Sequence, residues 1–146
     1  MRESIVLDIN KLKILYIIFG FSFAFSQFPV NLNPNQISEP FNILVDSQSE
    51  FLITVVARSN TDWSMSENES ATIKVIIDGD STNYNQDVVL YSGQILHNYY
   101  CSLGSLDSGE HFIEFLFDYE KSSVLSQSVY IESVEIIDIN SLDIDE

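Results

Sequence analysis

The stretch HFIEFLFD, residues His111 to Asp118, sets large apolar residues at every second position. Read as a strand, it sends His111, Ile113, Phe115 and Phe117 to one face and Phe112, Glu114, Leu116 and Asp118 to the other. The first set is a core face that begins with a histidine at its rim. ATIKVIID, Ala71 to Asp78, repeats the pattern, with Ile73, Val75 and Ile77 alternating with Thr72, Lys74 and Ile76. Helix signals are almost absent from the chain.

Working outward, the same β-branched and aromatic enrichment marks five more segments: Phe41–Asp46, Glu50–Arg58, Gln86–Ser92, Ile95–Leu103 and Gln127–Ile139. With Ala71–Asp78 and a strand over Glu110–Glu120, that makes about seven strands, each bounded by Asn, Asp, Ser or Gly. Short strands at this spacing predict an all-β antiparallel β-sandwich, jelly-roll or immunoglobulin-like. The lone Cys101 cannot supply the immunoglobulin cysteine pair, so the jelly-roll reading is preferred. In an apolar, aromatic context, that thiol reads as a small buried hydrophobe.

Residues 41–139 are therefore expected to form the sandwich. Residues 27–40 hold all three prolines among asparagines and read as an extended lead-in, and 140–146 as an acidic tail that frays. Before them, Arg2, Lys11 and Lys13 flank the apolar run Ile14–Phe25, and Ala24 and Ser26 stand three and one residues before Gln27. That is the pattern of a secretory signal peptide over 1–26, and the run is shorter than the ~20 residues that span a bilayer. The expected location is secreted, extracellular or periplasmic.

From Gln27 onward three basic residues, Arg58, Lys74 and Lys121, face twenty acids, a formal charge of −17. Such a surface repels phosphate backbones and anionic lipid heads, which disfavours nucleic acid and membrane-surface partners. It suits a salty medium or divalent cations.

Catalytic templates find little to match. There is no Gly-x-Ser-x-Gly and no His-Glu-x-x-His. Glu110 and His111 are neighbours on a strand and point to opposite faces, so they do not act on one atom. His111 reads as a rim histidine bonded to backbone, with Leu103 and Leu106 plugging the sandwich end beside turns at Gly104 and Gly109. Glu114 and Asp118 share a face but stand about 13 Å apart along it, too far for a glycosidase pair. With two histidines and one cysteine, a zinc site built in the usual way is not expected.

Two polar segments offer binding chemistry. Asp78, Asp80 and Asp87, with Asn83 and Asn85, supply hard oxygen ligands of the kind calcium takes; the competing reading is a hairpin turn around Asp78-Gly79. Trp63 sits in the polar loop SNTDWSMSENES and Tyr84 in the next loop. Aromatic rings stack on the apolar faces of sugars while carboxylates and amides bond their hydroxyls, so Trp63, Asp62, Tyr84 and Asp80 are the candidate ligand-binding set at one sandwich end. The competing reading has Trp63 closing the core under its loop. Asn68-Glu69-Ser70 fits an N-glycosylation acceptor if the source is eukaryotic.

The run Ile73 to Asp118 joins a strand ending in Asp-Gly, a Val-Val-Leu strand, and a tyrosine strand leading into Leu-Gly-x-Leu-x-x-Gly-x-His. It resembles the β-sandwich accessory domains of secreted carbohydrate-active proteins, galactose-binding-like and other carbohydrate-binding modules, over Phe41 to Ile139. The resemblance implies a non-catalytic role in binding a polysaccharide or glycan. The alternative is a structural or adhesive surface module that pairs with protein.

Overall fold

A computed structural model describes residues 27–79 and 86–141. Eight strands run in chain order: β1 (Val30–Leu32), β2 (Phe41–Val45), β3 (Ser49–Ser59), β4 (Ala71–Ile77), β5 (Gln86–Leu90), β6 (His97–Leu106), β7 (Gly109–Phe117) and β8 (Val129–Asp138). They form two four-stranded sheets, β1-β8-β3-β6 and β2-β7-β4-β5, and every pairing within them is antiparallel. The fold is an all-β sandwich, as the alternating pattern requires.

The inward faces follow the period of two. Ile53, Val55 and Ala57 of β3, Ile73 and Val75 of β4, Ile113, Phe115 and Phe117 of β7, and Val129 and Ile131 of β8 are fully buried between the sheets. Phe115 stacks on Phe41 at 5.9 Å. Cys101 pairs in register with Ile53 and is buried with it, as expected of a small hydrophobe. Leu103 and Leu106 are buried too.

The lead-in is more than a linker. Val30–Leu32 is a strand, paired with Val129–Ile131, and Leu32 is fully buried. Phe28 meets Phe41 and Phe115 edge-on at 5.8 and 6.1 Å, and Ile37 bridges Leu116. Prolines and asparagines flanking a three-residue run hid this strand, because its partner lies a hundred residues away in sequence. The expected tail also begins docked: Asn140 donates from Nδ2 to Ser49 Oγ at 2.8 Å and from its backbone to Asp138 at 3.0 Å. The signal-peptide segment 1–26 and residues 142–146 lie outside the described residues.

β6 and β7 are joined through only Asp107 and Ser108 yet belong to opposite sheets. Opposite Phe51 and Leu52 the register skips Leu103, a bulge that bends β6 toward the crossing. Gly104 sits there at φ 78°, a conformation that side chains resist.

Candidate functional site

Antiparallel pairing sorts the loops between two ends of the sandwich. The β3–β4, β5–β6 and β7–β8 connections meet at one end; β4–β5 and β6–β7 turn at the other. The first end carries the candidate site.

Asp62 organises the β3–β4 loop. Its carboxylate accepts from Ser64 N and Ser64 Oγ at 2.9 and 2.7 Å, and the hydroxyl and N–H together pull its pKa below the usual carboxylate range. The backbone closes behind it, with Asp62 N donating to Asn68 O at 2.8 Å and Met65 N to Asp62 O at 3.0 Å. Trp63 therefore stands out of the loop with 62 % of its surface exposed, while its indole N–H donates to the Tyr91 carbonyl. It does not close the core.

Around that anchor is an aromatic group. Tyr91, His97 and Tyr99 meet edge-on in all three pairs at 5.2–5.3 Å. The Tyr91 hydroxyl lies 2.9 Å from His97 Nε2, and Ser92 N donates to the Tyr99 hydroxyl at 3.1 Å. Gly93 lets the β5–β6 loop approach β3: its carbonyl accepts from Ser59 N at 2.9 Å, and a Cβ there would sit 2.7 Å from the Thr61 carbonyl oxygen.

At the same end, on the outer face of the β1-β8-β3-β6 sheet, is a hollow of about 320 Å³ lined by Asn31, Arg58, Ser59, Asn60, Gln94, Ser128 and Tyr130. Register builds it, since Asn31 opposes Tyr130 and Tyr130 opposes Arg58 across three neighbouring strands. The Arg58 guanidinium lies 4.8 Å from the centre of the Tyr130 ring. The Tyr130 hydroxyl donates to Glu132 at 2.5 Å, which pushes the phenol's pKa up. Asn60 Oδ1 accepts from Gln127 N and Ser128 N at 2.8 and 3.1 Å, tying the β7–β8 loop to β3. A larger hollow of about 400 Å³ opens beside Phe28, Phe41, Ile43, Val134 and Ile136, where its walls are mostly apolar.

The candidate set expected from the sequence is only partly brought together. Asp62 and Trp63 are at this end. Tyr84 and Asp80 lie outside the described residues, as do Asn83 and Asn85, but both flanks of their segment stand at the opposite end. β4, from Ala71 to Ile77, carries the chain about 23 Å between the two. Of the four, Asp62 and Trp63 are the ones that the described residues place. Asn31, Arg58, Gln94 and Tyr130 are not singled out by the sequence. Their one signal is Arg58, a rare cation on the outward period of β3.

Of the metal candidates, Asp80 lies outside the described residues, and Asp78 and Asp87 stand apart. Asp78 at φ 54° and Gly79 at φ 71° make a turn as the chain leaves β4, whereas the next strand begins only at Gln86. Its carboxylate accepts from Phe112 N at 2.8 Å and lies 2.8 Å from His111 Nδ1. Asp87 opposes Lys74 in register, four positions before Asp78 along β4, and pairs with Lys121 Nζ at 2.5 Å. The two are about 13 Å apart along the strand direction. Among the described residues no group of three or more His, Cys, Asp or Glu side chains is placed to hold a metal ion.

His111 is the rim histidine its position implied, with Nε2 2.9 Å from the Asp107 carbonyl as well. Glu110 faces away and accepts from Asn42 Nδ2 at 2.9 Å. Asn68 is 6 % exposed, and its buried Oδ1 has no hydrogen-bond partner among the described residues.

No family model and no curated protein sequence matches the chain. Solved structures do. A CBM35 from Cellvibrio japonicus Abf62 superposes with a TM-score of 0.51 at 13% identity, over 72% of this chain and 67% of that one. The likeness is one of fold, a β-sandwich shared with that module. A second structure with this fold, the EclA C-terminal domain, described as a sugar-binding protein, has a TM-score of 0.50 at 11% identity, over 77% of this chain and 79% of its own. The insecticidal delta-endotoxin Cry8Ea1 from Bacillus thuringiensis also reaches 0.50, at 14% identity, over 77% of this chain and 20% of that one. Among the described residues no helix is long and apolar enough to cross a membrane.

Proposed function

We propose that the protein is a non-catalytic, exported carbohydrate-binding module whose sugar-contacting surface is the loop end around Trp63 and Tyr91. The observation that carries this is the Trp63 ring, 62 % exposed and tethered through its indole N–H to the Tyr91 carbonyl. An exposed indole held in place loses little freedom on binding, and its face suits the apolar side of a sugar ring. The fold supports the reading, since sugar binding is named for the EclA domain that shares it.

The test is titration of Trp63 fluorescence with a broad panel of polysaccharides. A spectral change with at least one glycan, lost in Trp63→Ala at unchanged melting temperature, is expected. Silence across the panel would count heavily against the reading.

A second reading, a structural or adhesive surface module, is favoured by the exposed apolar residues in the same loops: Met65, Ile95, Leu96, Val124 and Leu125. It predicts self-association or a protein partner, and a strict monomer in light scattering weakens it. Calcium at the 78–87 segment is likewise a proposal. Equal melting temperatures in chelator and in excess Ca²⁺ remove it.

A further inference from the structure

We infer that the hollow beside Arg58 receives an anionic substituent, a carboxylate or a sulfate ester, on the glycan that the Trp63 surface holds; this rests on the carbohydrate reading above. Of the three basic side chains described, Lys74 reaches Asp118 at 3.7 Å and Lys121 reaches Asp87 at 2.5 Å. Arg58 has no carboxylate partner among the described residues, in a chain with 22 acids. Among the described residues no carboxylate lines the hollow either.

A guanidinium carries five N–H donors and no acceptor, and its planar fork matches a carboxylate or an oxyanion. The side chains of Asn31 and Gln94 make no hydrogen bond among the described residues, so their amide groups are available. The Asn60 carbonyl oxygen is already taken by two backbone N–H groups, which leaves its NH₂ as what it offers a ligand. The amide oxygens of Asn31 and Gln94 suit a sugar's hydroxyls, while the Arg58 fork, which has donors alone, is satisfied by an anion.

Arg58 is stacked at 4.8 Å on a Tyr130 ring that is itself held by Glu132, so its fork is oriented before a ligand arrives. At about 320 Å³ the hollow has room for one substituted sugar residue. Gln94 in the hollow and Tyr91 beside Trp63 belong to the same short β5–β6 loop, so one polymer can touch both. The net charge of −16 repels free anions, and an anion on a chain already held by Trp63 escapes that handicap by its high local concentration.

The test uses the full chain and two matched pairs: polygalacturonate against its methyl-esterified form, and a sulfated galactan against the same galactan desulfated. Affinity electrophoresis should show the charged member of one pair bound about tenfold tighter, the order expected for a charge-assisted bidentate contact. Arg58→Gln should abolish that difference and leave binding of the neutral member unchanged. Trp63→Ala should weaken both members alike. Arg58 is exposed on an outer face, and a matching melting temperature confirms that its variant is folded. The discriminating pair tells carboxylate from sulfate. Equal binding within both pairs, or a preference that survives Arg58→Gln, overturns this inference and leaves the carbohydrate reading standing. No binding to any of the four, with the wider panel silent as well, removes both.

Discussion

Cys101 illustrates how a single residue's role follows from its face. Its register partner Ile53 points into the core, so the thiol is buried, and burial pushes its pKa up to about 11. The thiolate is the reactive form. Cys101 should therefore react with a thiol reagent far more slowly in the folded protein than in denaturant, and equal rates in the two states would contradict its placement. Gly93 is the opposite kind of residue, defined by what it lacks. At φ 62°, with the Thr61 carbonyl oxygen 2.7 Å from where a Cβ would be, Gly93→Ala must move backbone on one side or the other. We expect a loss of about 1–3 kcal/mol in denaturant unfolding, together with a shifted Trp63 emission, because the displaced loop carries the Tyr91 carbonyl. Neither effect is visible in the sequence, where Gly93 is one glycine in a polar turn.

At the scale of elements, β1 and the His111 clamp each tie distant segments together. Leu32 is fully buried in a strand whose sequence reads as a lead-in. If the strand is integral to the sandwich, Leu32→Ala costs about 2–5 kcal/mol of unfolding free energy; a change below about 0.5 kcal/mol would mark the segment as a mere linker. The clamp joins two turns. His111 lies between the Asp107 carbonyl and the Asp78 carboxylate, both of which only accept, so both ring nitrogens donate only when the ring is protonated. The Asp107 bond first, and Asp78 next, raise its pKa above the ordinary imidazole value. A raised folded pKa means the stabilisation is complete below the ordinary value and is lost as pH rises through the raised one. The melting-temperature difference between wild type and His111→Ala should accordingly be largest near pH 5 and shrink above neutrality. A difference independent of pH would show that the ring acts by packing alone. The pairing of His111 with Asp78 depends on β7 lying beside β4, which no local pattern announces.

For the whole molecule, charge is the property most plainly legible from composition. At −16 the folded chain repels itself, and salt screens that repulsion within about 10 Å at 0.1 M. The melting temperature should rise between about 10 mM and 200 mM NaCl; a fall would mean that the ion pairs of Lys74 and Lys121 outweigh the repulsion. Strand identity is equally legible, because a half-buried strand writes its two faces into alternate residues, and seven strands can be read within a few positions of their observed bounds. Trp63 can be singled out as well, since an indole in a polar loop is a local anomaly. The sequence by itself thus determined a sandwich of short antiparallel strands, a strongly acidic surface and one conspicuous aromatic. Only the tertiary structure decided which loops share an end, and so joined Trp63 to Tyr91 and parted Asp78 from Asp87. It also set Asn31, Tyr130 and Arg58 side by side. The physical reason is that alternation reports which face a residue takes, whereas strand order and register are set by packing between segments far apart in the chain.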